Sequence, residues 1–322
     1  MHRDAANRRL KRRAAAWALV LLTLTGCGRP APVQEEEPVQ QVTLPVPVQE
    51  TAPSTPIFME TEILPQEASP AESSAVTLDL ALQETIAQAV AGYGGAWSVY
   101  VEDVTHGRNV QVGDGAKTAA SLIKLFVAGA YLQAVEDGSL EDLWQGELEA
   151  MITVSSNEAC NRLLEVLGQE DAQAGMTRVN EFAAGLGCGD TVIQRQMLEA
   201  SPLENFTSPR DCATLLKAAL DGTLVSEAAS KRLVELLCAQ TRRNKIPAGL
   251  PQDVTCGNKT GELADVENDV AIVWTNAGTY LLCVMVEDVT APGQTQSDIA
   301  ALSALVYGAY STAGDSEESK NT

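Results

Sequence analysis

The chain has 322 residues, with 43 acidic and 22 basic side chains, only two histidines and a formal charge of −21. Six of the basic residues (Arg3, Arg8, Arg9, Lys11, Arg12 and Arg13) fall in the first 26. Without that stretch the charge is −26, a polyanion that phosphate backbones repel, which excludes nucleic acid as a partner. His2 lies in the same basic leader and leaves His106 alone, so multi-histidine metal sites are excluded and any Ser-His-Asp triad must run through His106.

In chain order, residues 1–13 form a basic n-region and Ala14–Leu24 an apolar stretch too short to span a bilayer but suited to a secretory h-region. Leu24-Thr25-Gly26-Cys27 resembles the lipobox of bacterial lipoproteins, which implies lipidation at Cys27 and export to the extracytoplasmic face of a membrane. From Gly28 to about Val76 the chain carries nine of its fourteen prolines and eight glutamates against one arginine, with no apolar period. Such a segment cannot bury enough surface to offset its ordering entropy, and it reads as an extended tether.

About 245 residues remain, enough for one large domain over 77–312 with a polar tail at 313–322. Leu78–Val90 has helical periodicity, and Trp97–Val104 with Asn109–Val112 reads as a hairpin turning at His106-Gly107. His106 is thereby a turn residue, which removes the last histidine base. A mostly helical stretch runs from Ala119 to Ala239, broken by a loop near Gly187–Pro209. Strand-like runs follow at Val254–Thr260, Val266–Thr275 and Tyr280–Val286, and Ser297–Ala309 looks helical. This order predicts an α/β fold of the α+β type: an antiparallel sheet of about five strands drawn from both ends of the chain, flanked by helices, with an all-helical region inserted. Six cysteines remain after Cys27, none in a CxxC pair; disulfides and buried thiols are both compatible with their spacing.

Without histidine, a nucleophile needs another base, and lysine is the usual substitute. Ser121 and Lys124 stand three residues apart at the start of a predicted helix, hence on one face, within the apolar run AASLIKLFV that disfavours the charged amine. Ser155-Ser156-Asn157 opens a later helix, and Lys259-Thr260-Gly261 closes a strand.

In that order, S-x-x-K, S-x-N and K-T-G resemble the serine β-lactamase and penicillin-binding protein superfamily, and the flanks resemble its class A branch over residues 80–310. Asn161, Ile246-Pro247-Ala248-Gly249 and Thr207-Ser208-Pro209 extend the match. The resemblance implies Ser121 as nucleophile, Lys124 as its base and Ser155 as proton relay. It implies Asn157, Lys259, Thr260 and Gly261 in substrate binding, with the backbone N–H groups of Ser121 and Glu262 as oxyanion donors and Asn161 supporting a loop beside the site. The implied substrate is a β-lactam or a peptidoglycan peptide, taken by a monomer that needs no cofactor or metal and reaches the membrane through its lipid anchor. Hydrolysis of β-lactams through an acyl-enzyme is the first expectation; a D-Ala-D-Ala peptidase and a catalytically weak sensing relative are the alternatives.

Four departures qualify the match. Ser156 stands where class A enzymes usually carry aspartate. Only 34 residues separate Ser121 from Ser155, so the cleft edge should be more open. The deacylating glutamate of class A enzymes lies in a pattern like E-P-E-L-N; aligning Pro202 and Asn205 to it puts Ser201 at that glutamate and leaves Glu199 and Glu204 close but off register, with Glu199 the candidate to activate water. No arginine follows Arg243, so a substrate-carboxylate arginine would have to be Arg242 or Arg243.

Overall fold

The computed structural model describes residues 70–318, with side chains from Asp79 to Ser311. Cys27 and nearly all of the tether lie outside the described residues. The first helix, α1 (Pro70–Ala91), starts inside the stretch read as tether. Proline is tolerated in a first turn, and Ala71-Glu72-Ser73-Ser74-Ala75 contains no breaker before the apolar period begins. Two strands follow, β1 (Ala96–Asp103) and β2 (Arg108–Val112), joined by the expected turn at His106-Gly107, where Gly107 has φ +68.

A two-residue strand β3 (Lys117–Thr118) leads through a 3-10 turn (Ala120–Leu122) into α2 (Ile123–Glu136). The helical block continues with α3 (Gln145–Thr153), α4 (Asn157–Leu167), α5 (Ala172–Gly185), α6 (Pro209–Leu220) and α7 (Glu227–Cys238). The short β4 (Phe206–Thr207) precedes α6 and pairs with β3. The chain then returns to the sheet in β5 (Thr255–Leu263), β6 (Val266–Thr275) and β7 (Gly278–Glu287) and ends in α8 (Pro292–Glu318). No proline follows Pro292, so α8 propagates past Ala309 and six residues into the segment read as a polar tail.

The five long strands form one antiparallel sheet in the order β2-β1-β7-β6-β5. Along β7, Leu281, Cys283 and Met285 join one apolar cluster while Tyr280, Leu282, Val284 and Val286 join another. Burial on both faces explains why β6 and β7 read as near-continuous apolar runs. The first cluster includes nearly all of α2, a helix apolar all round and therefore central. The second lies under α1 and α8. No helix among the described residues is long and apolar enough to cross a membrane. The six cysteines are all free, five of them buried and Cys238 exposed.

Candidate active site

The site forms where the front of α2 meets the α3–α4 junction and the edge strand β5. Ser121 sits in the 3-10 turn, and one turn later the Lys124 side chain points back to it: Nζ lies 3.1 Å from Ser121 Oγ. Lys124 also donates to Ser155 O and Asn157 Oδ1, each at 2.7 Å, and reaches Ser155 Oγ at 3.3 Å. Two of these partners are obligate acceptors. A neutral amine spends its two hydrogens on them and keeps its lone pair for the Ser121 hydroxyl, which is the arrangement a base requires.

Burial pushes the Lys124 ammonium down to about 8, and the nearby Arg242 charge adds to the shift. Lys259, on β5, donates to Ser155 Oγ at 2.9 Å and to Thr260 O at 2.7 Å. It is driven well below the ordinary lysine range, first by burial and then by the Lys124 charge. Two amines thus converge on one hydroxyl in a site that disfavours two positive charges, an arrangement able to pass a proton between Lys124 and Lys259 through Ser155.

The backbone supports this convergence. Ser155 has φ +60, a left-handed conformation that non-glycine residues rarely hold outside sites where surrounding structure fixes it. Ser156 caps α4, its Oγ accepting from Ala159 N at 3.1 Å. The residue that departs from the class A pattern therefore starts the helix that presents Asn157. Gly261 is required for a different reason: a Cβ there would stand 2.9 Å from Ala119 O and 3.2 Å from Ser121 N. With no side chain in the way, β5 runs against the 3-10 turn that carries Ser121.

Asn161, one turn beyond Asn157, clasps the loop on the far side. Its Nδ2 donates to Met197 O at 3.0 Å and its Oδ1 accepts from Met197 N at 2.8 Å. The residue held against α4 is therefore Met197, not Ser201, and the Met197 side chain is buried in the first apolar cluster. Glu199 is not brought into the site: it is exposed, and its Oε2 accepts from Gln196 N in its own loop at 3.0 Å. The loop is otherwise fastened, with Arg195 paired to Glu204 at 2.7 Å and Asn205 Oδ1 accepting from Gln194 N and Arg195 N.

A family model described as the beta-lactamase enzyme family matches residues 81–145 and 143–310. The chain belongs to the beta-lactamase enzyme family. Beta-lactamase FAR-1 of Nocardia farcinica is 33% identical over 150 residues, 44% of this chain and 46% of that protein, so the matched part spans less than half the length of this relative. Among solved structures, PBP-A is similar with a TM-score of 0.66 at 27% identity, covering 72% of this chain and 96% of its own. The class A beta-lactamase of the last common ancestor of Gram-negative bacteria is similar at a TM-score of 0.64 and 28% identity, covering 71% of this chain and 99% of its own. The antiparallel sheet with its helical insertion is thus the fold of class A beta-lactamases and of PBP-A.

Three residues of this family member, Met197, Lys245 and Asn268, escaped the sequence reading. Met197 was hidden because proline and asparagine spacing sets a different loop register. Arg242, half exposed, pairs with Glu262 at 3.0 Å, whereas Arg243 turns to Cys256 O. The buried Lys245 bridges Glu262 and Glu267, direct cross-strand partners whose like charges would otherwise repel. Asn268, fully buried, joins β6 to the segment that leads into the Ser121 turn, donating to Thr118 O and Ala119 O. Only the polar run E-N-D at 267–269, ahead of the apolar stretch of β6, marks the last of these in the sequence. His106 stays in its hairpin, its Nδ1 bonded to Asp103 at 2.8 Å. No cluster of three or more metal-ligating side chains occurs among the described residues.

Proposed function

We propose that the protein is a class A-like serine β-lactamase that opens the β-lactam amide through an acyl-enzyme on Ser121. The observation that carries this reading is the shared contact at Ser155 Oγ, where Lys124 and Lys259 converge with Ser121 Oγ one bond away. Neutral Lys124 takes the Ser121 proton as Oγ attacks the ring carbonyl. The N–H groups of Ser121 and Glu262 face the oxyanion. As the C–N bond breaks, Ser155 gives its proton to the departing nitrogen and is reprotonated from the lysine pair. Lys259 and the Thr260 hydroxyl bind the substrate carboxylate, and Arg242, half exposed and paired to Glu262 beside the K-T-G strand, supplies the second cation. Purified protein should turn over a chromogenic cephalosporin and lose that activity in Ser121→Ala; a wild type inert towards every β-lactam defeats the proposal.

A second reading, a penicillin-binding peptidase acting on D-Ala-D-Ala peptides, is favoured by Met197. The loop position clasped by Asn161 offers a thioether where hydrolysis calls for a carboxylate, and Glu199 points to solvent. Intact mass after mixing with benzylpenicillin separates the two: a persistent penicilloyl adduct on Ser121 supports the peptidase, and its rapid loss supports the β-lactamase. We also place the mature protein on the extracytoplasmic face of a membrane, held by acylated Cys27, because a basic leader and an apolar run end at a lipobox. Metabolic labelling with a fatty acid that survives in Cys27→Ala would reject this anchor.

A further inference from the structure

The nucleophile turn is built on a strained residue. Ala120, immediately before Ser121, has φ +46, and neither end of the 3-10 turn carries a side-chain cap. A side chain bearing Cβ does not hold this conformation unaided. The backbone just ahead of it is tied through Ala119 N to Asn205 O at 2.8 Å, and one buried side chain reaches its carbonyls. Asn268 Nδ2 donates to Thr118 O at 2.9 Å and to Ala119 O at 3.3 Å, while its Oδ1 accepts from Val286 N at 3.2 Å. Both amide hydrogens and one acceptor site are thereby used, with no exposure to water. Asn268 lies directly opposite Gly261 in the β5–β6 ladder, and the missing Cβ of Gly261 leaves the passage open between β6 and the turn.

We propose that Asn268 is a positioning residue that holds Ala120 left-handed and so keeps the Ser121 N–H aimed, beside that of Glu262, at the developing oxyanion. The inference rests on the reading of Ser121 as the acylated serine. Asn268 touches no substrate and transfers no proton. Its contribution is to fix a donor whose misdirection costs transition-state stabilisation and leaves ground-state binding at Lys259 and Thr260 intact.

The test follows acylation of Ser121 by benzylpenicillin with intact mass over a range of concentrations, in the wild type, Asn268→Ala and Asn268→Ala/Ala120→Gly. Asn268→Ala is expected to lower the limiting acylation rate about 100-fold, the order of one lost oxyanion donor. The half-saturating concentration should stay within about threefold, because carboxylate binding is untouched. Glycine adopts positive φ without a Cβ penalty, so Ala120→Gly in that background should restore at least about tenfold. A merely structural asparagine predicts no such rescue. If Asn268→Ala does not fold by circular dichroism, Asn268→Asp keeps the shape without the donors and carries the same expectations. An acylation rate within threefold of the wild type, or a loss that Ala120→Gly does not relieve, overturns the inference alone. A wild type that forms no adduct overturns the reading of Ser121 and this inference with it.

Discussion

Lys124 divides the site into two unequal sides. On one side Ser121, Ser155 and Lys259 are held by short hydrogen bonds, two left-handed residues and a glycine that lets β5 approach. On the other, the loop around Met197 is as firmly fastened, through Asn161, Arg195 and Asn205, yet it aims no acid inward. Rigidity is therefore common to both sides, and chemistry is not. In the mechanism proposed above, forming an acyl-enzyme needs only the first side, and releasing it by water calls on the second. The contrast teaches that a well-ordered loop beside a nucleophile is no measure of turnover.

The largest effect should come from breaking the first side at its base. Lys124→Ala is expected to slow adduct formation by roughly 100- to 10,000-fold in stopped mass-spectrometric time courses, the range for a lost general base. A carboxylate placed on the second side sharpens the contrast from the other direction. Met197→Glu should accelerate adduct loss by about 100-fold while leaving its formation near the wild-type rate, because the new acid is clasped by Asn161 at the same backbone position. An unchanged adduct lifetime in a folded Met197→Glu protein breaks the assignment of that side.

Next in size is pH. In the proposed mechanism Lys124 is the base and works only when neutral, and burial lowers its pKa to about 8. The rate of adduct formation should rise about tenfold per pH unit up to about 8 and level off above it. A profile flat between pH 6 and 8 removes lysine as the base. Ser156→Ala removes the cap of α4 and should cost about 1 kcal/mol, seen as a fall in Tm of roughly 2–4 °C. The smallest effect is reserved for Glu199→Gln, which should change adduct lifetime by less than about twofold. A larger slowing returns Glu199 to the hydrolytic side.

Much of this was legible in the sequence because it rests on local spacing. Ser121 and Lys124 are neighbours on any helix, and Val266–Thr275 coincides with β6 because apolar runs of that length between turn residues are strands. The hairpin at His106-Gly107 was marked by its glycine. The helix ends were less legible: α1 and α8 overrun composition boundaries, since a formed helix extends through polar residues at little cost. The loop at 194–205 was illegible in detail. Its register is set by Asn161 and Asn205, side chains that bond to backbone, and backbone leaves no trace in residue type. Asn268 was missed for the same reason, since its partners are three main-chain groups.

The pairing of β1 with β7 carries a consequence in time. Residues 96–103 lie against residues 280–287, and the lysine of the edge strand enters only through β5. Contacts so distant along the chain form late and slowly. A ribosome that has produced Ser121, Lys124 and Ser155 has not yet produced a catalyst, because the second amine and the central strand are still to come. Any chain cut short before β7 should be inert, however intact its helical block, and the protein acquires its chemistry all at once, near the end of its synthesis.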